Sequence, residues 1–172
     1  MSERRPSRGF TLVEMLVVIS IISILAGLVL GALGVARTRS KMAQTEATIK
    51  LLEGALERYE MDFQDYPPSD GDATGIKGSE RLWTCLRTEK KEGPYIQSAD
   101  ARTCDVNGNG DLEIADAWNR PIRYLHHRDY PNRGNPRKGT YRLLSAGPNG
   151  IYEEGAKNSD DIVNWDINKP DK

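Results

Sequence analysis

Residues 105–116 read Asp-Val-Asn-Gly-Asn-Gly-Asp-Leu-Glu-Ile-Ala-Asp. With Asp105 as position 1, oxygen-bearing side chains fall at Asp105, Asn107, Asn109, Asp111, Glu113 and Asp116, and the turn glycine Gly110 takes position 6. This is the spacing of a calcium loop, and calcium accepts neutral amide oxygens alongside carboxylates. The set Asp105, Asn107, Asn109, Asp111 and Asp116 is therefore a candidate calcium site, although it closes on Asp where a bidentate Glu is usual. The competing reading is an Asx-rich turn in which the same side chains cap only backbone. A second notable group is Glu14, which stands at the head of an apolar run. An ionised carboxylate in hydrocarbon is costly unless something pairs with it. The two histidines, His126 and His127, are adjacent on an expected strand and should face opposite ways. That suits neither a catalytic triad nor paired zinc ligands, so no enzymatic function is expected.

The elements that carry these residues follow from charge and periodicity. The chain has 172 residues and a formal net charge of −1, which gives no global field toward nucleic acid. Met15 to Ala36 carries no charge. As a helix at 1.5 Å per residue it is roughly 33 Å long, enough to cross a bilayer core of about 30 Å. Arg4, Arg5 and Arg8 precede it and mark the cytoplasmic flank, so the chain beyond about residue 37 faces outward. The run is too long for the core of a cleaved secretory signal, about 7–15 residues.

After Ala36 the pattern becomes periodic with no proline to break it. Met42, Ile49, Leu52, Leu56, Tyr59 and Phe63 share one helical stripe, so a single helix is expected from about residue 10 to 62. A coiled coil is the alternative, but the stripe covers few heptads. Tyr66-Pro67-Pro68 ends the helix. A short helix is expected over residues 79–88, and strands over 122–126 and 140–144 with a turn-rich connector between them. The fold class is thus α+β: a long N-terminal helix, transmembrane in its first half, packed on a small antiparallel sheet domain. The expected divisions are 1–9, 10–36, 37–62 and 63–172. Cys85 and Cys104, an even pair in an outward-facing domain, are expected to form a disulfide; the alternative is two buried thiols.

Arg8-Gly9-Phe10-Thr11-Leu12-Val13-Glu14-Met15-Leu16, a basic leader ending in Gly before an apolar helix, resembles the class III signal of type IV pilins and of type II secretion pseudopilins. Ala55-Leu56-Glu57-Arg58-Tyr59-Glu60-Met61-Asp62 with Tyr66-Pro67 is similar to the helix end of the major pseudopilin. So are Asp116-Ala117-Trp118-Asn119-Arg120-Pro121, Ser145-Ala146-Gly147-Pro148-Asn149-Gly150 and Asp160-Asp161-Ile162-Val163-Asn164-Trp165, in order, to its later segments.

The resemblance implies cleavage after Gly9 by a prepilin peptidase and N-methylation of Phe10. It implies a single-pass inner-membrane anchor with a periplasmic domain, and self-assembly into a periplasmic fibre with minor pseudopilins on an inner-membrane platform. Glu14 would then face the new amino group of a neighbouring subunit. It also implies a calcium site in a C-terminal loop, with Asp160 and Asp161 as carboxylate ligands, Asn149 in the usual Asp position, and backbone oxygens of Ala146 and Asn158. Three departures stand out: Gly31 replaces a usual Pro, Asn149 replaces Asp, and residues 69–115 have no clear counterpart. The 105–116 loop, closing on Asp116, resembles those of dockerins. The alternative functions are a type IV pilin for adhesion or DNA uptake, and a membrane-anchored calcium-binding interaction module.

Overall fold

The computed structural model describes residues 11–72, 74–129, 140–153, 156 and 159–165, without the side chains of 29–32. The expected processing positions Gly9 and Phe10 lie outside the described residues. Contacts divide the chain into two compact units, Met1–Arg39 and Ser40–Lys172. Helix α1, Leu12–Phe63, has members in both. Its backbone is helical through Gly31, so the missing proline leaves an unbroken helix there.

In the first unit the apolar side chains of α1 are exposed, including Leu12, Ile19, Ile24 and Leu28. The segment is long and apolar enough to cross a membrane. Two serines interrupt it without cost. Ser20 Oγ donates to Leu16 O at 2.8 Å and Ser23 Oγ to Ile19 O at 2.7 Å, so neither hydroxyl needs water.

In the second unit the expected stripe is the buried face. Ile49, Leu52 and Leu56 are core residues, and Met42, Tyr59 and Phe63 pack at its edge. Thr45 and Ala55 are buried with them. The helix stops where Gln64 turns left-handed (φ 62°) ahead of Pro67 and Pro68.

Helix α2 is Ile76–Leu86, starting three residues earlier than expected. The N-cap is Gly75, and Asp72 three residues before it shapes the turn into the helix, its carboxylate accepting N–H bonds from Thr74 (2.9 Å) and Lys77 (2.9 Å). Leu82, Trp83 and Leu86 supply its core face. Gly78 is obligatory on the α2 face, since a Cβ there would lie 2.1 Å from Tyr124 O.

Two antiparallel sheets complete the unit. Strands β1 (Arg102–Cys104) and β2 (Glu113–Ala115) pair with Cys104 opposite Glu113. Strands β3 (Arg123–His126), β4 (Tyr141–Ser145) and β5 (Ile162–Val163) form the second sheet in that order, with Tyr124 opposite Leu143 and Ser145 opposite Ile162. Tyr124, fully buried, ties β3 to the end of α1 by donating to Pro67 O at 2.6 Å.

Two expectations need correction. The strand ends at His126, and His127 opens a 3-10 turn, so the two rings lie 4.2 Å apart and do not face opposite ways. Cys85 and Cys104 are free thiols, with no disulfide between them. Cys85 sits beside Tyr59 and Cys104 beside Glu113.

Candidate functional site

Three places carry chemistry. At the head of α1, Glu14 Oε2 accepts from Thr11 N (2.9 Å) and Thr11 Oγ1 (2.8 Å), and Glu14 N donates to Thr11 Oγ1 at 3.2 Å. Thr11 is the residue before the first helical one and Glu14 the third inside it, which makes this a capping box. The Thr-x-x-Glu signature is present in the sequence, where Glu14 carried only its expected docking role. The carboxylate also lies where the helix macrodipole favours negative charge.

The second place is the C-terminal loop. Asn149 and Asp160 meet, Asn149 N donating to Asp160 Oδ2 at 2.9 Å. Asp161 Oδ2 accepts from Glu153 N at 3.0 Å, and Asn149 Oδ1 from Ile151 N at 2.7 Å. Ala146 O accepts from Gly150 N at 3.1 Å. Gly147 (φ 55°) lies so close to this group that a Cβ would approach Asp160 O to 2.0 Å. Of the expected residues, Asn149 and Asp160 are in contact, Ala146 and Asp161 bond to other parts of the same loop, and Asn158 lies outside the described residues. Asp160 Oδ1 is buried with no hydrogen-bond partner among the described residues. An orphaned carboxylate oxygen among oxygen-only donors fits a hard cation better than a borderline-soft one. Sequence reasoning gave no role to Arg120. Its guanidinium donates to Gly147 O at 2.9 Å and braces the same turn.

The third place is the 105–111 loop. Asp105 accepts from Gly108 N (2.7 Å) and Gly110 N (3.1 Å). Asn107 Oδ1 accepts from Asn109 N at 3.0 Å, and Asn109 Oδ1 from Asp111 N at 2.7 Å. Gly110 has φ 89°, the left-handed turn expected at position 6. Asp116 does not join them. It is buried and fully engaged: Oδ1 accepts from Trp118 N (2.8 Å) and Arg120 N (3.0 Å), and Oδ2 from Ser145 Oγ (2.8 Å). Its loop role is corrected to a structural one, knitting the Asp-x-Trp turn to β4.

The histidines sit at a separate cluster. His126 Nε2 is 3.1 Å from Asp65 Oδ1, and Arg128 N donates to His126 Nδ1 at 3.3 Å. With Nδ1 accepting, the ring proton belongs on Nε2, pointing at Asp65. Asp65, His126 and His127 are close enough to share a metal. A neutral His126 binding metal through Nε2 would need its proton on Nδ1, where the Arg128 N–H already points. The cluster is therefore a neutral N–H···O hydrogen bond from His126 to Asp65 beside an Arg128–Asp65 ion pair at 2.8 Å. Burial costs the Asp65 carboxylate, but hydrogen bonds from His126 and Tyr66 outweigh that and hold it below the usual carboxylate range.

Residues 4–30 match the prokaryotic N-terminal methylation motif, and residues 33–165 match the family described as type II secretion system (T2SS), protein G. The type II secretion system core protein G of Escherichia coli K12 is 33% identical over 96% of this chain and 95% of its own length. That of Pseudomonas aeruginosa is 31% identical over 95% and 99%, and that of Vibrio cholerae 29% over 97% and 97%. With an exposed apolar helix capped by Thr11 and Glu14, and a small α+β unit built on the continuation of that helix, the chain belongs to the type II secretion system protein G family and is a pseudopilin.

Proposed function

We propose that the chain is made as a precursor, cut after Gly9 by a prepilin peptidase and N-methylated on Phe10. It is then held in the inner membrane by a single pass with its α+β unit in the periplasm. There it stacks with copies of itself and minor pseudopilins on an inner-membrane platform into a short fibre that assists secretion of folded proteins. The observation that carries this reading is one carboxylate, Glu14, at the head of a helix whose large apolar side chains from Leu12 to Leu28 are exposed. That surface must be covered by lipid, or by neighbouring copies of the same helix. An amino group on Phe10, with a reference pKa of about 7.7–8.0, is mostly cationic at neutral pH and would neutralise the Glu14 of an adjacent subunit. The match to the methylation motif supports the processing step. In cells carrying a complete secretion machine, Glu14→Ala should be processed and inserted but should not assemble. Normal fibres from that variant would overturn the reading.

In the same reading the C-terminal loop holds calcium through Asp160, Asp161, the Asn149 side chain and the carbonyls of Ala146 and Asn158. The cation would supply positive charge to these oxygen donors. The chain's own part is to pre-shape the turn, with Gly147 allowing close approach to Asp160 and Arg120 holding the Gly147 carbonyl.

A further inference from the structure

The orphaned carboxylate of Glu113 points to a second cation site. Glu113 is completely buried on β2, and its Oε1 has no hydrogen-bond partner among the described residues. Its other oxygen, Oε2, accepts from Val106 N at 3.1 Å, so the carboxylate reaches into the 105–111 loop from beneath. Cys104, the residue opposite on β1, lies beside the carboxylate but offers only a weak S–H. A buried carboxylate oxygen left without a partner costs free energy, and native folds rarely leave one unmatched.

The groups around Glu113 make the imbalance worse. Glu80, on α2, and Asp105, at the start of the loop, are the charged neighbours that act on it, and both are acidic. Glu80 Oε1 accepts from both Asn107 Nδ2 (2.8 Å) and Asn109 Nδ2 (3.0 Å). It thereby fixes which way each amide faces and leaves both Oδ1 atoms on the loop side. Glu80 is a positioning residue in this arrangement. It acts through the two asparagines, as outer-shell partners orient metal ligands elsewhere.

We propose that residues 105–113 form a calcium site distinct from the C-terminal loop, with Asp105, Asn107, Asn109 and Glu113 as side-chain ligands. Asp111 contributes through its backbone carbonyl, as position 7 of such loops does. Glu113 at position 9 takes the closing role that the spacing assigned to Asp116, whose oxygens are spent on Trp118, Arg120 and Ser145. The two carboxylates of Asp105 and Glu113 match the charge of a divalent cation. The oxygen-only donor set selects calcium over zinc, and the mix of loop amides and carboxylates gives the flexible geometry that calcium tolerates and magnesium does not. A bound ion would also clamp α2 to the β1–β2 hairpin through Glu80 and Glu113.

The site stands independently of the assembly reading, and its test separates the two loops. Full-length protein in detergent micelles, stripped with chelator, is titrated calorimetrically with calcium. The expected result is two bound ions per chain. Glu113→Gln and Asn109→Ala should each weaken one of them at least ten-fold and leave the other, whereas Asp160→Asn should do the reverse. Glu80→Gln, a partly exposed change that spares the core, should weaken the same ion as Glu113→Gln, and this decides the matter if the buried Glu113→Gln change prevents folding. Unchanged calcium affinity in both Glu80→Gln and Asn109→Ala overturns the proposal, as does loss of only the ion that Asp160→Asn also removes.

Discussion

Thr11 and Glu14 hold each other by three hydrogen bonds, two from Thr11 to the carboxylate and one back from Glu14 N to the Thr11 hydroxyl. The same carboxylate thus has a local task, closing the first turn, and the proposed intersubunit one. The two separate by substitution. Glu14→Gln keeps a capping-box side chain but removes the charge, and Thr11→Ala removes the cap but keeps the charge. Thr11→Ala should still assemble, with fraying of the first turn. Glu14→Gln should be processed and helical yet assemble at least ten-fold less, measured as sheared fibre or as intersubunit cross-linking. Assembly of Glu14→Gln at the normal level would mean that the charge is not the docking element.

The buried stripe gives a second expectation. Leu56 has no exposed surface, while Leu51, one helical position off the stripe, is 38% exposed. Leu56→Ala should destabilise the second unit by about 2–5 kcal/mol through lost transfer energy and the cavity left behind. Leu51→Ala should cost roughly 0.5 kcal/mol or less. Urea unfolding followed by tryptophan fluorescence distinguishes them, and equal effects would contradict the packing.

Most of this packing was legible beforehand, and the reasons are physical. The stripe from Met42 to Phe63 repeats over several turns, so its period survives local exceptions. The double proline and the glycines around β3 and β4 punctuate strongly. Strands β1, β2 and β5 were not legible. β5 has two residues, and β2 is Glu-Ile-Ala inside what reads as an ion loop, so neither offers an alternating pattern. The pairing of His126 with Asp65 was also invisible, because it depends on the strand ending one residue before His127. Asp116 shows the limit of spacing arguments: two motifs claimed it, and only the positions of Trp118, Arg120 and Ser145 decide between them.

His127 provides a pH test. Burial, and then the neighbouring His126, push its pKa below the ordinary histidine value. The unfolded chain therefore binds a proton near pH 6.5 that the folded chain resists. The sign follows directly: stability is full above about pH 6.5 and falls as the pH drops through that value, because protons favour the unfolded state. His127→Gln should flatten the stability curve between about pH 5 and 7, read from thermal midpoints across that range. A curve that keeps its slope in the variant would assign the effect to another group.

Cys85 and Cys104 give a redox expectation opposite to the usual inference for an outward-facing domain. Burial raises the pKa of the Cys85 thiol. Burial, with Glu113, Asp116 and Asp105 nearby, pushes that of Cys104 up to about 11. Both thiols should stay protonated and slow to react at neutral pH. Protein isolated without reductant should have an intact mass two hydrogens heavier than a disulfide form. A thiol reagent should label both cysteines only on unfolding. A mass lower by two hydrogens would restore the disulfide and require movement of β1 or α2.

Calcium at the C-terminal loop makes the last expectation, and Asn149 makes it quantitative. Its backbone N–H meets Asp160, and its side chain, as an amide, would bring an oxygen without charge. Asn149→Asp should tighten calcium at this loop, since affinity rises with ligand charge count, and Asp160→Asn should weaken it at least ten-fold. Because calcium binds the folded state, saturating it should raise the thermal midpoint, by about 2.7 kcal/mol of stability at a hundred times the dissociation constant. Chelator should remove this increment from a chain that carries Glu113→Gln, in which only the C-terminal loop still binds, and a larger one from the wild-type chain, which loses both ions. Arg120 enters the same balance with the opposite sign, since its guanidinium braces the Gly147 carbonyl and its charge opposes an incoming cation. Arg120→Gln should therefore keep the brace in part and leave calcium affinity equal or higher. A strong loss of affinity in Arg120→Gln would instead show that the shape of the turn, more than its charge, governs binding.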